Sequence, residues 1–126
     1  VGGTSASKIT LTAAAAQHKI ARSFTGTVFG FYAKAGTAAY MGLSFDGGTN
    51  AQVYKLSDGT LSTVVGTVVA SIVPLPATGW YSLAFSATAG TTLTVAFGDT
   101  AAHAVPGTSW TPAGTETVFF YNAQGG

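Results

Sequence analysis

Residues 78–87, TGWYSLAFSA, join a turn to a strand with a single core face. Thr78 and Gly79 make the turn; behind them Tyr81, Leu83 and Phe85 alternate with Trp80, Ser82, Ala84 and Ser86. This two-residue period belongs to a half-buried strand, whose successive side chains point to opposite faces of a sheet. No helical period of comparable strength runs through the rest of the chain.

The same alternation recurs on both sides of this segment, in short runs separated by Gly, Asp, Asn and Thr, and predicts an all-β antiparallel sandwich. Residues 7–12 are the first expected strand. Residues 13–22 are ambiguous: four alanines followed by Lys19 and Arg22 suit a short helix and its dipole, yet 19–24 also alternate and are read as strand. Residues 28–34 put Phe29, Phe31 and Ala33 on one face, and 39–45 do the same with Met41, Leu43 and Phe45. Residues 46–50, Asp-Gly-Gly-Thr-Asn, form a turn, because these residues tolerate positive φ or bond their own backbone. Residues 51–56 follow with Tyr54 and Leu56 inward, 57–60 make a second tight turn, and 61–65 leave it. The apolar run 64–73 reads as buried strand. Pro74 and Pro76, which donate no ladder hydrogen bond, mark a break. Residues 91–97 alternate cleanly, 98–114 form a long loop carrying Trp110, and 115–123 close the fold with Phe119 and Tyr121 opposing Val118 and Phe120.

Only 7% of the residues are charged, against about a quarter in an ordinary soluble domain. Ala, Thr, Gly and Ser build the surface instead, and a net charge of +1 supplies little repulsion between copies, which favours an assembly or a tether to a larger polypeptide. The 47% hydrophobic content of the 126 residues fills one modest core and excludes disorder. Without cysteine there is neither a disulfide framework nor a thiolate metal site. No apolar run approaches the roughly 20 residues that span a bilayer, so no membrane partner is expected. The start, Val1-Gly2-Gly3, has neither an initiator Met nor a signal-peptide pattern, and the expectation is a piece of something longer.

Four phrases carry a family resemblance in their order: Lys34-Ala35-Gly36 after an aromatic strand, the hairpin Tyr54-Lys55-Leu56-Ser57-Asp58-Gly59, then Gly79-Trp80-Tyr81, then Tyr121-Asn122-Ala123-Gln124. Together they resemble a jelly-roll domain, similar to a carbohydrate-binding module, that recurs in tailed-phage virion proteins. The likeness spans nearly the whole chain. Lys55 stands where the family has Asp, and Ser82 where an Arg often follows Trp-Tyr, so no role of that Asp carries over. The resemblance implies one antiparallel jelly-roll β-sandwich over residues 1–126. It also implies a further strand before the segment matching 3–9, which a flanking segment or a neighbouring subunit would supply.

Catalytic chemistry finds little support. Asp46, Asp58, Asp99 and Glu116 are the four carboxylates, and three of them sit in or beside Gly-rich turns where Asp is favoured for backbone reasons. No two are placed to face each other across a glycosidase cleft. His18 and His103 stand alone, with no acidic or second histidine neighbour at ligand spacing, so no transition-metal site is expected. Asp46 with Asn50, or Asp99 with loop carbonyls, offers part of a structural calcium shell as a minor alternative to no cofactor. Neither a Gly-x-Ser-x-Gly elbow nor a P-loop is present, and Lys8, Lys19, Arg22, Lys34 and Lys55 are too scattered to bind nucleic acid.

Aromatic contact remains. Tyr32, Tyr40 and Trp80 fall opposite the apolar stripes; if their strands are neighbours in one sheet, the rings form a platform for sugar faces with Lys34 and Gln52 as a hydrogen-bonding rim. The alternative is that loops or a subunit cover this face and Trp80 merely packs. Trp110 is either a plug on the end of the core or a contact for a ligand or partner. Two functions are therefore expected. The first is a non-enzymatic structural or adhesive module on a virion surface, packing against other virion subunits or copies of itself and able to bind cell-surface glycan. The second is a carbohydrate-binding module of a larger secreted or virion-borne enzyme.

Overall fold

The computed structural model describes residues 7–11 and 13–124, with side chains described at 10, 11 and 13–119. The chain forms ten strands: β1 (Ser7–Thr10), β2 (Lys19–Ser23), β3 (Val28–Ala35), β4 (Tyr40–Ser44), β5 (Ala51–Lys55), β6 (Thr60–Val65), β7 (Val69–Pro74), β8 (Trp80–Ser86), β9 (Thr92–Gly98) and β10 (Thr117–Gln124). They make two antiparallel five-stranded sheets, ordered β1-β10-β3-β8-β7 and β2-β9-β4-β5-β6. Consecutive strands β1 to β4 alternate between the sheets, as do β8 to β10, whereas β4-β5-β6 and β7-β8 are neighbours within one sheet.

The core lies where the alternation places it. Phe29, Phe31 and Ala33 of β3, Met41 and Leu43 of β4, Leu83 and Phe85 of β8, and Val118 of β10 are all buried, and Phe45 and Leu56 extend this set beyond the strand ends. Phe45 meets Phe85 edge-on at 4.9 Å, tying the end of β4 to β8 in the opposite sheet. Tyr54 of β5 is fully buried and reaches across the sandwich, its Oη donating to the Ala84 carbonyl of β8 at 2.6 Å. Residues 46–50 turn as expected, and the second turn, expected at 57–60, comes one residue earlier at 56–59; Gly47, Gly48 and Gly59 all take positive φ there. Lys19–Ser23 is strand, and the alanine run before it forms bends and one bridge from Ala16 to Trp110 rather than a helix. Thr12, and the facing of Phe120 and Tyr121, lie outside the described residues and side chains.

The run 64–73 is not a buried strand. Gly66, at φ +68°, turns the chain from one sheet to the other, so the run divides between the end of β6 and most of β7. Each is an edge strand, and Val64, Val69 and Val73 are 55%, 73% and 54% exposed. Apolar composition suggests burial, but an edge strand has neighbours on only one side.

Candidate functional site

The two outer faces of the sandwich differ. On the β4–β9 sheet the outward residues Gly42, Ser44, Thr94 and Ala96 are buried, and the segment between β9 and β10 folds back over Gly42 as a strap. Gly42 makes the contact possible: a Cβ there would run into the carbonyl oxygen of Ala104 and lie 2.9 Å from Pro106 Cδ. Trp110 anchors the strap. It is 6% exposed, donates from Nε1 to the Phe97 carbonyl at 3.1 Å and exchanges two backbone bonds with Ala16. Of the two roles expected for Trp110, the structure places it as a plug in the core cluster and not at the surface.

Both histidines flank that ring. His103 stacks on Trp110 at 4.6 Å with planes 9° apart, and His18 meets it edge-on at 5.4 Å. His103 is not unaccompanied, since its Nδ1 donates to Asp99 at 2.6 Å. The turn through residues 100–104 brings positions four apart together, a spacing the sequence contains but which a loop reading passes over. His18 is buried, its Nε2 within 2.9 Å of the Ala14 carbonyl and 3.2 Å of the Trp110 carbonyl.

On the β3–β8 sheet no loop among the described residues is recorded across the outer face. Register sets Phe119 opposite Lys34 and Lys34 opposite Trp80, so these three form a row across β10, β3 and β8. Tyr32 lies one pair along, opposite Ser82 on β8 and Tyr121 on β10. All four described side chains of this cluster, Tyr32, Lys34, Trp80 and Phe119, are half-buried. Lys34 lies along Gly79, where a Cβ would sit 3.4 Å from its Cε, and carries its Nζ to 6.0 Å from the centre of the Phe119 ring. The ammonium thus lies at the outer limit of a cation–π contact with one ring, on a residue whose register partner is Trp80, and an ammonium has three N–H donors to offer hydroxyl groups. Beyond the aromatic end the floor is made of small residues: Gly30 and Ala84 opposite each other, Ser71 beyond Ala84, and Ser86 further along. Phe119 enters this site unannounced because both faces of the run Val118-Phe119-Phe120-Tyr121 are apolar, so alternation sets Phe119 opposite in facing to Val118 without saying which of them meets the core.

The expected three-ring platform does not form. Tyr40 is on β4, in the other sheet, opposite Lys55 and Gly98. Gln52 is not a rim residue either: it lies opposite core-facing Leu43, is 4% exposed, and its Nε2 donates to the Val53 and Thr63 carbonyls. Gln52 is two residues from Tyr54 and so shares its inward face.

The four carboxylates hold the chain's own turns and neighbours. Asp46 accepts from Ser44 Oγ and the Asn50 backbone at 2.9 Å each and from Asn50 Nδ2 at 2.7 Å. Burial raises its pKa, but those bonds from Asn50 and Ser44 outweigh burial and leave it below the ordinary value. Asn50 Oδ1 in turn accepts from Thr67 N, so the calcium candidates Asp46 and Asn50 spend their oxygens on turn closure rather than on a common centre. Asp99 is given to His103, and Asp58 bonds Thr60 and pairs with Lys55 at 3.5 Å. Glu116 accepts from the backbone of Ala113, Gly114 and Thr115; the Ala113 bond leads in holding its pKa down. Among the described residues no three His, Asp or Glu side chains converge on a point. No protein-family model, curated protein or solved structure matches this chain.

Proposed function

We propose that this chain is a non-enzymatic jelly-roll module of a tailed-phage virion, which packs into the particle and presents the Tyr32, Lys34, Trp80 and Phe119 face to surface glycan. The observation that carries the reading is the asymmetry of the two faces: one is crossed by the chain's own strap, and the other carries an aromatic row with a cation at its centre. Flat rings stack on the apolar faces of sugars while an ammonium donates to their hydroxyls. The alternation of β1 to β4 and of β8 to β10 between sheets supports a jelly roll with β6 and β7 as added edge strands. The virion assignment rests on the order of the four family-like phrases and on the low charge. Carboxylates committed to their own turns favour a module that binds over one that cleaves. The same face would serve a carbohydrate-binding module of a larger enzyme, which is the second reading.

Glycan-array screening followed by titration calorimetry tests the face. A ligand should emerge whose affinity falls about tenfold or more in Trp80→Ala, roughly the worth of one good ring contact, and is unchanged in Tyr40→Ala on the other sheet. Equal binding by the wild type and Trp80→Ala would overturn the assignment. Peptides of this chain in stoichiometric amount in purified particles would favour the virion over the enzyme-borne reading.

A further inference from the structure

β7 is an unguarded edge. It pairs with β8 through six consecutive positions, from Val69 opposite Ser86 to Pro74 opposite Tyr81, with no bulge, and it ends its sheet. The neighbouring edge strand β6 differs: its ladder with β5 shifts register between Gln52 and Tyr54. Bulges, charges and prolines are the devices by which edge strands avoid pairing with another chain. β7 has no bulge, residues 61–74 carry no charge, and its one proline stands at the last position. Its core-facing Ala70 and Ile72 are only half-buried although they pack on the core, and its outward Val69 and Val73 are exposed. Val28, 59% exposed, lies beyond Ser86 from Val69 and widens this apolar margin.

The sequence of the strand names the occupant. Residues 69–73 read Val-Ala-Ser-Ile-Val, a near-palindrome centred on Ser71. Two such strands laid antiparallel about a two-fold axis at Ser71 put Val69 of one copy opposite Val73 of the other, Ala70 opposite Ile72, and Ser71 opposite Ser71. Directly opposed residues share a face, so valine meets valine outside, while a small and a large side chain meet on the core side and carry the core across the junction. A margin without charge offers nothing to a charged partner and opposes no copy of itself. We infer that two copies of this chain associate through β7 in this register, joining their five-stranded sheets edge to edge in an isologous contact. This edge adjoins the small-residue floor at Ser71 and contains none of the aromatic row, and the inference goes beyond the glycan reading.

The test is the mass of the full chain in solution, by light scattering over a dilution series, for the wild type and two double variants. Val69→Lys/Val73→Lys sets lysine against lysine at both opposed positions; Val69→Lys/Val73→Glu sets lysine against glutamate at both. The wild type should be a dimer, the lysine–lysine variant should dissociate about tenfold or more readily, and the lysine–glutamate variant should recover most of that loss. A wild type monomeric at every concentration, or two variants that dissociate alike, would overturn the inference. Because the chain has no cysteine, Ser71→Cys introduces a unique thiol. On oxidation it should cross-link two copies through opposed positions, while Ala21→Cys on the far edge strand β2 should not. That pair decides the matter even if a double variant fails to fold, and equal cross-linking by both would sink the proposed register.

Discussion

Tyr54 shows how one side chain can join both sheets. Its ring sits wholly inside, and its hydroxyl spends its donor on the Ala84 carbonyl of the opposite sheet. Burial pushes its pKa far up, because a phenolate there would lose its water without gaining a cation, so the hydroxyl remains a donor wherever the protein is folded. Tyr54→Phe keeps the ring and removes the bond. The expected cost is about 1 kcal/mol, the usual net worth of a hydrogen bond, rising toward about 2 if the Ala84 carbonyl finds no water. A lowered urea midpoint at unchanged slope would register it, whereas an unchanged midpoint would mean that the bond contributes nothing net. The alternation of 51–56 revealed that Tyr54 points inward; nothing in a local pattern says which distant carbonyl its hydroxyl will find. Gln52 is the reverse case: parity with Tyr54 places it inside, whereas its polar side chain taken alone suits a rim.

The strands themselves were largely legible, because alternation and turn residues act locally: β3, β4, β5, β8 and β9 fall where the pattern puts them. Partners were not legible. Tyr32, Tyr40 and Trp80 have equivalent patterns, yet two share a sheet and the third does not, a difference fixed by long-range pairing. The strap was legible only as a loop, since its tie to the sheet depends on a glycine more than sixty residues earlier in the chain. Gly42 carries no positive φ; what it supplies is room for the Ala104 backbone. Gly42→Ala should therefore destabilise by about 1–3 kcal/mol, the cost of forcing a methyl group into filled space. It should also lift the strap from β4, releasing Trp110 from Phe97. Tryptophan emission should shift to longer wavelength under native conditions, whereas a loss of stability without that shift would show the strap yielding elsewhere.

A chain with four carboxylates has a short acid limb, and three of the four are lowered in the fold: Asp46, Asp58 and Glu116. Their partners are turn groups. For Asp58 the Thr60 hydroxyl leads, with the Lys55 charge assisting, and for Glu116 the Ala113 backbone leads, with its own N–H and those of Gly114 and Thr115 assisting. A carboxylate whose folded pKa lies below its unfolded value binds fewer protons in the folded state. Its stabilisation is present above the unfolded value, about 4, and is lost as the pH falls through the lower folded value. These three carboxylates should add no slope to the urea midpoint from neutrality down to about pH 5 and should weaken the sandwich only below about 4. Since Asp58 is exposed and Glu116 only half-buried, salt and water screen them, and the loss should come as a gradual slope rather than a collapse. Glu116→Gln isolates one contribution: at pH 7 its midpoint should lie below that of the wild type, and the gap should close as the acid limb is descended. A gap that persists unchanged at low pH would assign the effect to lost side-chain packing instead of charge. Turns that depend on ionised carboxylates would then no longer explain why so weakly charged a molecule keeps nearly all its acids where the chain reverses.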